Sequence, residues 1–159
     1  ELAAFIKPGI STKDIDKLGE KLIRDRGCIP NFLNYHGYPA SVCVSVNDEV
    51  VHGIPTKHRI LQEGDIVSLD AGLIYKGYHS DAARTHAVGN ISKEAQQLLD
   101  VTRQSFFEGM KFAKEGLFSE NPKWEAAIKR ENSIYSRTAD VRSPFGRDYT
   151  RIKRKNETY

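Results

Sequence analysis

The sequence predicts an α+β fold: an antiparallel sheet with covering helices, followed by a short helical tail. Three observations carry this. The stretch "SVCVSVN" alternates Val42, Val44 and Val46 with Cys43, Ser45 and Asn47, the period of a strand. The runs "DIVSLDAGLIY" and "GYHSDAARTHAV" meet at Lys76–Gly77, which reads as a two-residue hairpin turn. On either side of these strands, apolar residues recur every three to four positions, as on one face of a helix.

Along the chain, "ELAAF" reads as the end of a helix that Pro8 and Gly9 stop, and Ser11 or Thr12 caps the next. Ile15, Leu18, Leu22 and Ile23 give that helix its apolar face, and Gly27 closes it. "CIPNFLNYHGYP" is a loop carrying Phe32, Tyr35 and Tyr38, and "HGIPTKHRILQEGD" is a connection. Gly77 supplies a positive φ cheaply, whereas Lys76 suits such a turn less well than Asn or Asp. Ser92 caps a long helix through Leu98, Leu99, Val101, Phe106 and Met110 that stops near Gly116. "NPKWEAAIKRENSIYS" resembles one more helix, with Pro122 in its first turn, and the remainder has no strong period.

Composition bounds the function. The chain of 159 residues is 39% hydrophobic and 28% charged, with no apolar run long enough to span a bilayer and no leader-like start, so a cytoplasmic protein without a membrane partner is expected. Cys28 and Cys43 are read as free buried thiols. The net charge of +3 is uneven: residues 1–116 sum to −1 and residues 117–159 to +4, which sets a domain boundary at 116 and makes the tail a different piece, not an independent domain. All five histidines lie between His36 and His86.

With Lys76 and Gly77 at the turn, Asp70 faces Ala83 and Asp81 faces Gly72. The two aspartates become diagonal neighbours on one face, with backbones about 7–8 Å apart. Like charges on a buried face repel, and one would hold a proton. A divalent metal removes the conflict. From spacing alone each Asp reads more readily as a turn ligand or an edge charge, and His52, before Gly53 and Pro55, as a structural loop residue. His79 is placed on the opposite face. Tyr35, His36 and Tyr38 read as loop anchors.

Residues 1–116, through "NYHGYPASVCVSVNDEVVHGIP" and "LQEGDIVSLDAGLIYKGYHSDAARTHAVG", resemble the amino-terminal half of bacterial type I methionine aminopeptidases. The resemblance implies half of the pita-bread (creatinase/aminopeptidase) fold. It also implies removal of the initiator methionine from the amino terminus of nascent peptides, with two divalent ions (Co, Mn, Fe, Zn or Ni) in the intact family. Asp70 in "SLDAG" matches a metal-chelating aspartate, and Asp81 in "HSDAA" the one that bridges two metals. His52 in "VVHGIP" matches a histidine that contacts substrate and assists proton traffic. Tyr35, Tyr38 and Cys43 match residues lining the methionine pocket.

The same resemblance implies a second half that supplies two histidines and two glutamates. No histidine follows His86, and Glu120, Glu125, Glu131 and Glu157 stand in unlike contexts. The expectation is a truncated or fused chain, inactive alone, with weak or partial metal occupancy and a tendency to self-associate through the face the missing half would cover. The tail around residues 123–152, "KWEAAIKRENSIYSRTADVRSPFGRDYTRI", faintly resembles the start of HD-domain dNTP triphosphohydrolases. Besides the peptidase, a noncatalytic fragment or binding module and, more weakly, a nucleotide hydrolase are carried forward. "RIKRK" is read as a solvated terminus, so a nucleic-acid partner is not expected.

Overall fold

The structure, a computed structural model, describes residues 1–111, of which Glu1–Asp100 form one compact unit. In chain order come α1 (Leu2–Phe5), α2 (Thr12–Asp25), β1 (Ile29–Pro30), a 3-10 turn (Tyr35–Gly37), β2 (Val42–Val46), β3 (Ile66–Tyr75), β4 (Tyr78–Ala87) and α3 (Lys93–Met110). α3 runs on past Asp100 into the second unit. The expected tail helix and the hydrolase-like tail segment lie outside the described residues.

α2 begins where Ser11 forms a capping box: its hydroxyl accepts from the Asp14 N–H, and the Asp14 carboxylate accepts from the Ser11 N–H. Arg26 caps its end and Gly27 turns left-handed at φ +68°, as expected from the sequence. α3 starts on Ser92, whose hydroxyl accepts from the Ala95 N–H, and ends at Met110, short of Gly116.

All strand pairs are antiparallel. β3 is central, with β2 and then β1 along one side and β4 along the other. The β3–β4 register sets Asp70 against Ala83 and Gly72 against Asp81, as the hairpin reading requires. Lys76 and Gly77 both take positive φ, +49° and +84°, and the Lys76 ammonium sits 5.2 Å from the Tyr75 ring centre. The apolar core gathers Ile10, Ile15, Leu61 and Val88 onto Val42, Val44, Val46, Val67 and Leu69. Gly19 of α2 lies so close to β2 that a Cβ there would stand 2.4 Å from Val42 Cγ2.

Two expectations about burial, for Cys28 and for the face carrying the aspartates, need correction. Cys28 is half-buried, not buried, because it follows the helix cap at the surface; Cys43 is buried. Every residue of β2 is buried, since the strand is covered on both faces. β4 is the reverse: all of it except His86 is exposed, so Asp81 does not stand on a buried face.

Candidate metal centre

Strand parity sorts the sheet into two faces. Val42, Val44, Leu69 and Ala71 belong to the face carrying the helices and the core. Cys43, Asp70, Gly72, Asp81 and Ala83 belong to the other. Cys43 is the direct cross-strand partner of Asp70 on β2, and Asp81 is its diagonal neighbour on β4. A thiol and two carboxylates therefore share one small area of sheet.

The electrostatics follow from that crowding. Burial, then the closeness of the Asp81 carboxylate and its charge, hold the Asp70 carboxyl above its ordinary value of 3.8, while the charge of His52 draws it partly back. One oxygen of Asp70, Oδ1, is buried with no hydrogen-bond partner. Burial also pushes the Cys43 thiol up; Asp70 and Asp81 add to this and Tyr38 opposes it. Burial and the neighbouring Cys43 raise the Tyr38 phenol well above its ordinary value.

The loop carrying His52 is tied down at Gly53. The Gly53 N–H donates to Ser45 Oγ at 3.1 Å, and its carbonyl accepts from the Val44 N–H at 3.0 Å and from the Tyr38 hydroxyl at 2.8 Å. Only glycine fits, because a Cβ would stand 2.3 Å from the Val44 carbonyl oxygen. The bonds at Gly53 fix where the neighbouring His52 emerges; its backbone has φ +57°, uncommon for a residue with a side chain.

The structure thus brings Asp70, Asp81, Cys43, Tyr38 and His52 together. Tyr35 stands on the 3-10 turn, 66% exposed, edge-on to the His36 ring at 4.4 Å. His79 is not on the opposite face: it lies opposite Ile74, two residues from Asp81, and so shares the aspartates' face. Its Nδ1 lies 3.1 Å from Asn31 Oδ1. Counting parity along β4 alone identifies this. Phe32 is a further residue of this face that the sequence reading passed over. Its ring packs on Gly72, where a Cβ would stand 2.7 Å away, and that packing crosses 40 residues of chain with no local signal.

The donor set suits a divalent cation. Paired carboxylates with one unpartnered buried oxygen are oxygen ligands seeking positive charge. Among the described residues, no group of three or more His, Cys, Asp or Glu side chains is arranged to hold a metal.

Comparison with known proteins identifies the class to which this helix-backed antiparallel sheet belongs. The model of metallopeptidase family M24 matches residues 1–126, and the chain belongs to that family. A methionine aminopeptidase of Clostridium acetobutylicum is 54% identical over 110 residues, covering 69% of this chain and 44% of its own length. Methionine aminopeptidase 1 of Bacillus subtilis is 51% identical over 116 residues, covering 73% of this chain and 46% of its own length. The crystal structure of the Rickettsia prowazekii methionine aminopeptidase superposes with a TM-score of 0.79 at 30% identity, over 84% of this chain and 53% of that one. The fold is accordingly part of the pita-bread architecture, and the chain spans about half the length of the relatives it matches. Among the described residues, no helix is long and apolar enough to cross a membrane.

Proposed function

We propose that this chain carries the amino-terminal part of a metal-dependent methionine aminopeptidase site, acting on the amino terminus of nascent peptides in the cytoplasm. The placement of Asp70, Asp81 and Cys43 on one face of the sheet, beside the loop bearing His52, is the observation that carries the reading. Asp70 and Asp81 hold divalent cations such as Co, Mn, Fe, Zn or Ni. When bound, such ions supply an activated water and a Lewis acid for amide hydrolysis. His52 positions the scissile amide and moves a proton. Tyr38 and Cys43, with Tyr35 from the turn, shape a small slot for the methionine side chain, a type of pocket that discriminates by size.

Two carboxylates leave most of a coordination shell open, so cation binding by residues 1–116 is weak and the chain alone is inactive. Further ligands belong to additional polypeptide. Residues 117–159 are proposed as a basic tail that is not an independent domain. The test is methionine release from a Met-Ala-Ser peptide with Co²⁺ or Mn²⁺, for this chain and for the chain supplemented with the carboxyl-terminal half of a relative. Release only in the supplemented mixture, abolished by Asp70→Ala, supports the reading. Equal release by Asp70→Ala contradicts it.

The incomplete ligand set among the described residues favours a second reading, a noncatalytic fragment or binding module. Peptide binding without hydrolysis in the supplemented mixture would distinguish it. The nucleotide hydrolase reading rests on the tail alone and would need triphosphate release from dGTP.

A further inference from the structure

On the face of the sheet that carries the aspartates, β3 sets three residues in a row by alternation. Asp70 lies between Cys43 of β2 and Ala83 of β4, Gly72 lies opposite Asp81, and Ile74 lies between Ile29 of β1 and His79 of β4. Gly72 has no side chain, yet it is buried. Its cover is the preceding loop: a Cβ at Gly72 would stand 2.7 Å from Phe32 Cε1 and 3.1 Å from the Asn31 Cβ. The missing side chain is thus the seat of a ring from a distant stretch of chain. Because Gly72 stands across from Asp81 and two residues from Asp70, that seat adjoins both carboxylates.

The segment that carries the ring is held at Asn31. β1 is two residues long and ends at Pro30, opposite Leu73. Just beyond it the Asn31 N–H donates to the Gly72 carbonyl at 2.9 Å, and the chain then leaves the sheet, the Phe32 carbonyl accepting from the Tyr35 N–H at 2.9 Å. A second tie comes from the Asn31 side chain, whose Oδ1 lies 3.1 Å from His79 Nδ1. An amide oxygen accepts, so Nδ1 of the imidazole carries the donated proton. Asn31 is therefore fastened to β3 by its backbone and to β4 by its side chain, on the two sides of Gly72. Together these bonds fix the direction in which the next residue, Phe32, sends its ring onto the sheet.

We infer that His79 and Asn31 are positioning residues: their hydrogen bond, reaching across β3 over Gly72, holds the Phe32 ring as a wall beside Asp81 and so sets how large a side chain the proposed methionine slot admits. His79 acts through Asn31 on Phe32 and touches neither substrate nor cation. The selectivity role rests on the slot reading given above, whereas the tie between His79 and the ring stands on the geometry alone. A slot that sorts side chains by size needs walls that do not yield. Phe32 lies on a short segment past the end of a two-residue strand, and the Asn31–His79 bond is what keeps that segment from lifting.

The test compares His79→Ala with His79→Asn, whose side-chain amide nitrogen stands in for Nδ1 and can donate to Asn31. In the full chain without metal, the nuclear Overhauser effect between the Phe32 ring and the Gly72 α-protons reads where the ring sits. It should be lost in His79→Ala and kept in His79→Asn. An effect unchanged in His79→Ala would overturn the tie. The chain supplemented with the carboxyl-terminal half of a relative then reads selectivity, as the ratio of kcat/KM for Met-Ala-Ser to that for Phe-Ala-Ser. That ratio should fall about tenfold in His79→Ala, the scale on which small apolar slots discriminate, and recover in His79→Asn. Equal losses on both peptides, with the ratio unchanged, would mark a merely structural effect and overturn the selectivity role. No methionine release by the unsubstituted chain in the mixture would overturn the slot reading and the role that rests on it, while the Overhauser effect still decides the tie.

Discussion

The Tyr38 hydroxyl donates to the Gly53 carbonyl at 2.8 Å, so a side chain proposed for the methionine slot also anchors the residue beside His52. Tyr38→Phe keeps the ring and removes this bond, while the Val44 N–H continues to satisfy the same carbonyl. A loss of about 0.5–1.5 kcal/mol is expected, since no buried acceptor is left unpaired. Urea denaturation of the two proteins, compared at equal slope, measures it.

Gly53→Ala should cost more, because its Cβ would meet the Val44 carbonyl oxygen, which is backbone and cannot rotate aside. The strain is worth about 1–3 kcal/mol, and the loop must lift from the β2 edge to relieve it. Faster hydrogen exchange at the Val44 amide, with the β3–β4 amides unchanged, is the expected signature.

The parts of the site legible in the sequence are those fixed by local geometry. A turn at Lys76–Gly77 sets every β3–β4 pair, so the convergence of Asp70 and Asp81 follows from counting, and the same count places His79 correctly once parity is carried two residues further. What escaped the sequence depends on long-range packing. Phe32 on Gly72 and Gly53 against Val44 join segments with no periodic relation. Asp16 is a further case: it occupies a helix position where a carboxylate reads as solvent-facing, yet it is 2% exposed. The exposure of β4 could not be read either, since its alternation is compatible with one covered face or none.

Asp16 accepts from the Ser41 N–H at 2.8 Å and the Val42 N–H at 3.1 Å, and pairs with the Lys13 ammonium at 2.7 Å. It pins the start of β2 to α2. Asp16→Ala leaves two buried N–H groups without a partner, and a loss of about 3–5 kcal/mol is expected. Thermal unfolding followed by circular dichroism checks this, with a loss below about 1 kcal/mol contradicting the clamp.

His86 is held below its ordinary value of 6.5 by burial, then by the charges of Arg84 and the N-terminal amine. The native state therefore binds this proton less readily than the unfolded chain. Its stabilising contribution is present above the unfolded value and is lost as pH falls through the lower folded value. His86→Gln should flatten the fall in stability on the acid side of 6.5 while leaving stability above neutrality nearly unchanged. Chemical denaturation across that range tests the sign, and an unchanged slope would contradict it.

In the proposed site Asp70 and Asp81 act as one cation-binding pair. Titration of Mn²⁺ into the full chain, followed by the loss of the free-ion electron paramagnetic resonance signal, tests this most directly. Weak saturable binding is expected for the wild type. Asp70→Asn and Asp81→Asn should each remove most of it, and the double variant should remove little more, because the two carboxylates act as a unit. Binding undiminished in the double variant would contradict the assignment.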